Sequence, residues 1–388
     1  MTSRSRFALS LASTAVVLYL ASGPLMRRAL GDTGYTHLSI FHEVVSLIRE
    51  TYVDPVNMDR TLDAAESGLL EALDGDSGYL DQADFQELLS GKRGPAEVGI
   101  VLGRRFGFLT VVATRPGSPA RLAGLKAGDF IKTIDGKHTH SITVVKGERL
   151  LSGEPGTPVK VGIFKSGTEA VDTSLIRERL RPSFPVARVL EGGVGYLAVQ
   201  DLSDPILGSV KTALADLQAQ GASSLILDLR SSATGALPNS AALAGLFLEK
   251  AVVARLASRN APEQTLMATE AARAYKGPLV VLVDRGTAGA AEIAAACLLD
   301  SDRASLIGEN TFGRAGVQKQ IPLNTGGGLV LTVSRYLSPK GQALNGKGLT
   351  PKTLVRNPES PDSIGTPGQD PVLDKAIEAL KAVAKAAA

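Results

Sequence analysis

Few side chains in this chain have the chemistry of a catalytic or metal centre. Its 388 residues include four histidines, one cysteine and no tryptophan. Two of the histidines, His138 and His140, alternate in a polar stretch, and two imidazoles without a third ligand do not make a metal site. Cys297 stands inside the apolar run 293–299, which is typical of a small core residue. The sequence therefore predicts no metal, no internal disulfide and no cofactor.

Length and composition are those of an ordinary globular protein. Hydrophobic residues make up 44% and charged residues 21% of the chain, which is long enough for several domains of ~150 residues each. The 42 Lys and Arg nearly balance the 39 Asp and Glu, and the cations form no stripe or run. Nucleic acid is therefore not an expected partner.

The N-terminus carries a separate apolar segment. Residues 7–26 contain no charged side chain, and arginines flank them on both sides. A run of about 20 apolar residues is long enough to cross a bilayer as a helix. We therefore expect residues 1–31 to form a membrane anchor, with the body outside the cytoplasm in the cell envelope or periplasm. Cleavage near residues 29–31 would make the segment a signal and the body secreted.

Two regions of different periodicity follow this segment. Residues 32–93 show the helical spacing of apolar residues, with helices expected at 37–52, at 59–73 and from Asp81, whose carboxylate can cap the third. Residues 94–170 are rich in glycine and β-branched residues and are expected to form a small, partly β domain. Its expected elements, between turns of Gly and Pro, are strands at 99–102, 109–113, 130–134 and 158–164 and a short helix at 120–125.

The largest region, residues 171–356, alternates apolar strands with helices and is expected to form an α/β core. Its expected elements are strands at 194–199, 224–229, 279–284, 304–307 and 329–335 and helices near 205–220, 237–248 and 288–299. Residues 357–388 are typical of a linker followed by an Ala- and Lys-rich helix from Pro371.

Several short motifs occur along these regions in a fixed order. They are YVD at 52–54, ALD at 72–74, SGYL at 77–80, GSPA at 117–120, AGLKAGD at 123–129, LILDLR at 225–230, PLVVLV at 278–283, GENTFG at 308–313 and GKGLTP at 346–351. Together they resemble the C-terminal processing peptidases, or tail-specific proteases, which are serine proteases with a Ser-Lys dyad and an inserted PDZ domain. The resemblance implies an α/β fold with a mixed-sheet protease core like that of crotonases and Clp proteases, an inserted PDZ domain and an N-terminal helical segment.

A PDZ domain adds an extended peptide to an exposed strand edge and holds the terminal carboxylate with backbone N–H groups. The resemblance places this turn and strand at Val98, Gly99, Ile100 and Val101. Glu97 stands where relatives usually have a glycine, and we expect its carboxylate to repel a peptide C-terminus.

Both positions of the dyad carry other residues here. In the family the nucleophilic serine precedes a Glu-Ile pair, and the run GTAGAAEI at 286–293 puts Gly289 in its place. The lysine base follows Phe-Gly, and Arg314 stands at that position, twenty-five residues later as in the family. Glycine supplies no nucleophile, and arginine stays protonated and cannot accept a proton. The third family position, a glutamine, is retained as Gln318.

The oxyanion turn also departs from the family. Relatives have Pro-Gly-Gly after the Asp-Leu-Arg strand, where glycine permits unusual backbone angles. The turn here is SSATG at 231–235, so that only Gly235 of the glycine pair remains and Thr234 replaces the other. The sequence therefore predicts that no catalytic residue set is intact.

These observations favour a non-catalytic relative that binds extended protein segments or C-termini through its PDZ domain, or that pairs with an active relative through the N-terminal helices. Two alternatives stay open. One is a serine-type endopeptidase with a relocated nucleophile such as Thr287, and the other is a structural assembly subunit, for instance of a homo-oligomer.

Overall fold

The computed structural model describes residues 33–140, 142–164, 171–269, 275–324, 326–358 and 363–387. The chain divides into two compact units, Met1–Ala65 and Glu66–Ala388. In the first unit, helix α1 (Thr33–Thr51) is the main described element, and α2 (Met58–Glu71) begins there. Both agree with the helical spacing of the sequence to within a few residues.

The membrane assignment is wrong for the part of the chain that the structure describes. None of the helices in that part combines the length and apolar character that a bilayer span requires. The segment on which the prediction rested, residues 7–26, lies outside the described residues. A location of the body outside the cytoplasm stays a prediction.

A small domain in the second unit is built on one antiparallel sheet. Its elements are β2 (Ile100–Arg105), β3 (Phe108–Thr114), α4 (Pro119–Leu122), β4 (Phe130–Ile134), β5 (Lys137–His138), α5 (Val144–Leu151), β6 (Pro158–Phe164) and β7 (Val171–Ile176). The strand order is β2-β3-β4-β6-β7, with β5 paired to β4, so β2 lies at one end of the sheet. The sheet continues past residue 170, where the composition placed the end of this domain. Alternating apolar residues such as Leu102, Leu109 and Val161 form its buried core.

The core domain contains a six-stranded sheet in the order β17-β14-β13-β10-β9-β8. Its strands are β8 (Val186–Leu190), β9 (Val194–Ala198), β10 (Ser224–Asp228), β13 (Leu279–Val283), β14 (Ser305–Gly308) and β17 (Thr353–Leu354). All neighbours pair in parallel except β8 and β9. Every residue of β10 and β13 is buried, because helices cover both faces of a parallel sheet.

Four helices pack against this sheet. They are α6 (Asp204–Ala219), α7 (Ser240–Gly245), α8 (Ala290–Asp300) and α9 (Pro371–Ala387). Apolar residues of α6, α7 and α8 share one buried cluster with the sheet, and those of α9 share a cluster on strands β9, β10, β13 and β14. The predicted mixed-sheet α/β core is confirmed.

A second, antiparallel sheet has the order β1-β16-β11-β12, and β15 also pairs with β16. Its strands are β1 (Gly78–Leu80), β11 (Val252–Ser258), β12 (Gln264–Met267), β15 (Gly316–Pro322) and β16 (Gly328–Leu337). Helix α3 (Gln82–Leu89) follows β1, and the Asp81 carboxylate accepts a hydrogen bond from the Asp84 N–H at 2.8 Å, as the sequence predicted.

A buried ion network holds the start of α9 on the parallel sheet. The Arg230 guanidinium, 1% exposed, lies 2.6 Å from the Asp228 carboxylate and 2.7 Å from that of Asp370. Asp370 also accepts backbone N–H groups in the first turn of α9. Asp370, the last residue of the predicted linker, is therefore fully buried and held in place by its ion pair with Arg230.

Candidate functional site

Gly289 stands directly before α8, with φ 64° and ψ −126°. A Cβ atom built there would meet Leu237 Cδ2 at 3.5 Å and the carbonyl oxygen of Arg314 at 4.0 Å, which are ordinary contacts. The site has room for a side chain, but the left-handed φ favours glycine. The position that the resemblance gives to the nucleophile therefore carries no reactive group.

The Arg314 backbone lies beside Gly289, and its side chain carries a permanent cation toward the small domain. Its Nη1 donates to the carbonyl oxygen of Leu102 in β2 at 2.9 Å, and its Nε lies 3.5 Å from Asp76 Oδ1. The side chain is 25% exposed. A guanidinium stays protonated in proteins, so this side chain cannot accept a proton from a nucleophile.

Glu292 ties the start of α8 to the loop that carries Arg314. Its fully buried carboxylate accepts hydrogen bonds from the Thr311 hydroxyl, from the Gly313 N–H at 2.8 Å and from the Arg314 N–H at 2.9 Å. Burial is the largest influence and raises the pKa of Glu292 to about 7, against the lowering effect of these donors. The sequence offered one signal for this role, a carboxylate at the head of an otherwise apolar helix.

Gln318 in β15 points its amide toward the same region. Its Nε2 lies 3.3 Å from the Thr332 hydroxyl. Gln318 and Arg314 together line a small cavity of about 150 Å³, with Asp76 at its edge. The structure therefore brings Gln318, the third position given by the resemblance, to the same cavity as Arg314.

The turn after β10 is held by hydrogen bonds of its own. The Thr234 hydroxyl donates to Asp201 Oδ1 at 3.0 Å. Gly235 has φ 102°, and a Cβ there would lie 2.4 Å from the Leu202 carbonyl oxygen, so only glycine fits. The Ser232 carbonyl accepts the Ala288 N–H at 2.9 Å, which joins this turn to the run before α8.

Thr287, the strongest substitute nucleophile in the sequence, is fully buried. Its hydroxyl donates to the Leu229 carbonyl at 2.8 Å and accepts the Asp284 N–H at 2.9 Å. The Thr287 hydroxyl therefore uses both its proton and one of its lone pairs in hydrogen bonds to backbone groups. Burial likewise raises the pKa of Cys297 to about 11, which makes its thiolate rare near neutral pH.

A cavity of about 590 Å³ is lined by residues of both the small domain and the core domain. Residues 98–101, the predicted peptide-binding turn and strand, line it from the small domain, and Thr234, Gly235 and Arg314 line it from the core. Gly289 and Gln318 are not among its lining residues in the described part of the chain. A peptide on the small domain would thus lie beside the oxyanion turn and Arg314.

The charge of Glu97 is compensated, which changes the expectation that it repels a carboxylate. Arg115 Nη1 lies 2.6 Å from Glu97 Oε1, and Arg115 Nη2 donates to the Arg181 carbonyl at 3.0 Å. Arg93 and Arg179 also line the cavity. Arg93 is paired in turn with Glu148, another lining residue, so the turn that would receive a peptide terminus lies among arginines and their carboxylate partners.

No group of three or more metal-ligating side chains occurs within the described residues. His140 packs edge-on against the Phe108 ring, with centroids 5.1 Å apart, and His138 lies on the exposed strand β5.

Comparison with known proteins relates both domains to described families. A model of peptidase family S41 matches residues 193–355, and a PDZ domain model matches residues 110–163. The carboxyl-terminal-processing protease of Synechocystis sp. is 31% identical over 352 residues, which cover 88% of this chain and 81% of that protein. The carboxy-terminal processing protease CtpA of Bacillus subtilis is 28% identical over 353 residues, 90% and 75% of the two chains. Among solved structures, the photosystem II D1 C-terminal processing protease superposes with a TM-score of 0.69 at 26% identity, covering 84% of this chain and 92% of that one.

Proposed function

Because the chain belongs to the carboxyl-terminal-processing protease family, we propose that it is a non-catalytic member that binds extended protein segments or C-termini. The observation that carries the proposal is the pair of residues at the two dyad positions. Gly289 has no side chain, and Arg314 carries a guanidinium at the position where the family has its lysine. Acyl transfer by a Ser-Lys dyad needs a hydroxyl that attacks the peptide carbonyl and an amine that accepts its proton, and these two positions supply neither.

The peptide-binding part of the proposal rests on the small domain. Strand β2 lies at the end of its sheet, which leaves one edge open for an added strand. The cavity beside residues 98–101 is lined by four arginines and two glutamates, and this excess of positive charge suits a terminal carboxylate.

The activity of the relatives favours one alternative, a serine-type endopeptidase with a relocated nucleophile. The burial and hydrogen bonds of Thr287 argue against it, since a hydroxyl without solvent access cannot reach a peptide carbonyl. The other alternative, a structural subunit that binds no peptide, is separated by the following experiment.

The test is fluorescence anisotropy with a labelled peptide that ends in an apolar residue, with either a free or an amidated C-terminus. We expect saturable binding that amidation weakens. Arg115→Gln leaves Glu97 unpaired and should weaken binding of the free acid. The control is Arg255→Gln on β11, which removes an exposed ion pair with Glu263 and should leave the affinity unchanged. No binding at high protein concentration would favour the structural subunit, and shortening of the peptide with time would favour the endopeptidase.

A further inference from the structure

The Arg314 guanidinium lies on the strand edge that a peptide would use. We propose that Arg314 is an intramolecular latch, which closes the open edge of β2 against the core domain and which an incoming peptide has to displace. This inference rests on the proposed function, because it concerns how the same edge is made available.

The orientation of Leu102 follows from its neighbour in β3. Leu102 is paired with Val111, whose N–H donates to Asp129 and whose carbonyl accepts from Gly128, both at 2.8 Å. Val111 therefore directs both backbone groups away from β2. The pair is of the type without cross-strand hydrogen bonds, and the Leu102 carbonyl points out to the open edge.

An added peptide strand gains its affinity from backbone groups of this kind. Arg314 Nη1 is 2.9 Å from the Leu102 carbonyl oxygen and so takes the place of a peptide N–H donor. The contact joins residues 212 positions apart, one in each domain. It is thus a bridge between the peptide edge and the former base position.

The latch is anchored on the core side as well. Arg314 Nε faces the Asp76 carboxylate at 3.5 Å, and the Arg314 N–H is held by the buried Glu292. Since the guanidinium stays protonated at all physiological pH values, loss of its proton cannot release it. Release has to come from competition by the peptide backbone.

A latch and an ordinary cavity cation differ in the sign of their effect on binding. Loss of a cation lowers the affinity for a terminal carboxylate. Loss of a latch raises the apparent affinity, because the apparent dissociation constant equals the intrinsic one divided by the open fraction. Arg93 lines the same cavity, is 63% exposed and pairs with Glu148 at 2.8 Å, so its loss removes a cation, leaves a carboxylate unpaired and provides the control of opposite sign.

The test measures the dissociation constant of the free-acid peptide for Arg314→Gln, Asp76→Asn and Arg93→Gln. We expect Arg314→Gln to bind about tenfold more tightly than the unaltered chain, because the peptide then has one hydrogen bond from a charged donor fewer to displace. Asp76→Asn keeps Arg314 but removes its ionic anchor, so we expect a smaller gain. Arg93→Gln should bind more weakly.

Each outcome decides between the latch and the wider proposal. If the unaltered chain binds the peptide and neither Arg314→Gln nor Asp76→Asn binds it more tightly, the latch is refuted and the binding function stands. If Arg314→Gln does not fold, Asp76→Asn alone decides in the same way. If no variant and no unaltered chain binds, the latch and the binding function fail together.

Discussion

Restoring the two dyad positions is the most informative perturbation of the core domain. Gly289→Ser returns a hydroxyl, and Arg314→Lys returns an amine that can lose its proton when buried. We expect neither substitution alone to cleave a polypeptide. We expect the double variant to cleave at least ~100-fold faster than Gly289→Ser alone, since a positioned base contributes ~10²–10⁴ to such a step.

The structure indicates that the double variant folds. At position 289 a Cβ meets Leu237 at 3.5 Å, an ordinary contact, so the cost comes from the backbone conformation at positive φ and is ~1–3 kcal/mol. Arg314→Lys loses a hydrogen bond to Leu102 and a partly exposed ion pair with Asp76, together ~1 kcal/mol. The expected loss of ~2–4 kcal/mol is below the ~5–15 kcal/mol stability of a typical domain.

The assay follows the initial rate of cleavage of an unstructured polypeptide as a function of enzyme concentration, with urea unfolding of each variant beside it. The matched control is Gly289→Ala with Arg314→Lys, which has the amine but no hydroxyl. The set is repeated with Thr234→Gly, which returns the missing glycine of the oxyanion turn. Cleavage by Gly289→Ser alone at the rate of the double variant would refute the role assigned to Arg314. No cleavage by any combination would show that catalysis is lost elsewhere.

Three further predictions concern buried groups. Asp370→Ala removes a partner of the buried Arg230 and should lower the free energy of unfolding in urea by ~3 kcal/mol. The control Glu378→Ala removes an exposed pair with Lys375 and should lower it by less than ~1 kcal/mol. Equal losses would contradict the buried network. Glu292 binds its proton more tightly in the folded chain, so the free energy of unfolding should fall by up to about 3 kcal/mol as the pH rises from 4.5 to about 7. Glu292→Gln should remove that part of the pH dependence, and parallel pH profiles of the two proteins would contradict the prediction. Cys297 should resist iodoacetamide near neutral pH in the native chain and react in urea, as mass spectrometry would show, and rapid native alkylation would contradict its burial.

The family and the fold class could be predicted from the sequence because the motifs and the apolar strands are local signals. Strands β4 and β6 begin and end where the sequence placed them. The antiparallel sheet was largely missed. Strand β15 has the sequence GVQKQIP and a mostly solvent-facing side, so it shows no apolar run. It pairs with β16 as a hairpin, but β16 also pairs with the distant strands β1 and β11, and those pairings are tertiary features.

The candidate site was located through the resemblance to the family, whose motifs put Gly289 and Arg314 at the two dyad positions. Spacing could not show the contact of Arg314 with Leu102, because it depends on how the two domains pack. It could not show the ion pair of Glu97 with Arg115, and therefore predicted repulsion where the structure has compensation. The burial of Thr287 likewise follows from the packing around the start of α8.

The most direct measurement of the central claim is peptide turnover by the unaltered, purified chain. A fluorogenic peptide with an apolar C-terminus is incubated with increasing protein, and a fluorophosphonate probe is applied in parallel and read by mass spectrometry. The account predicts no product above the blank and no covalent adduct. Product that grows in proportion to the concentration of the chain through successive purification steps, or an adduct on Thr287, would contradict it.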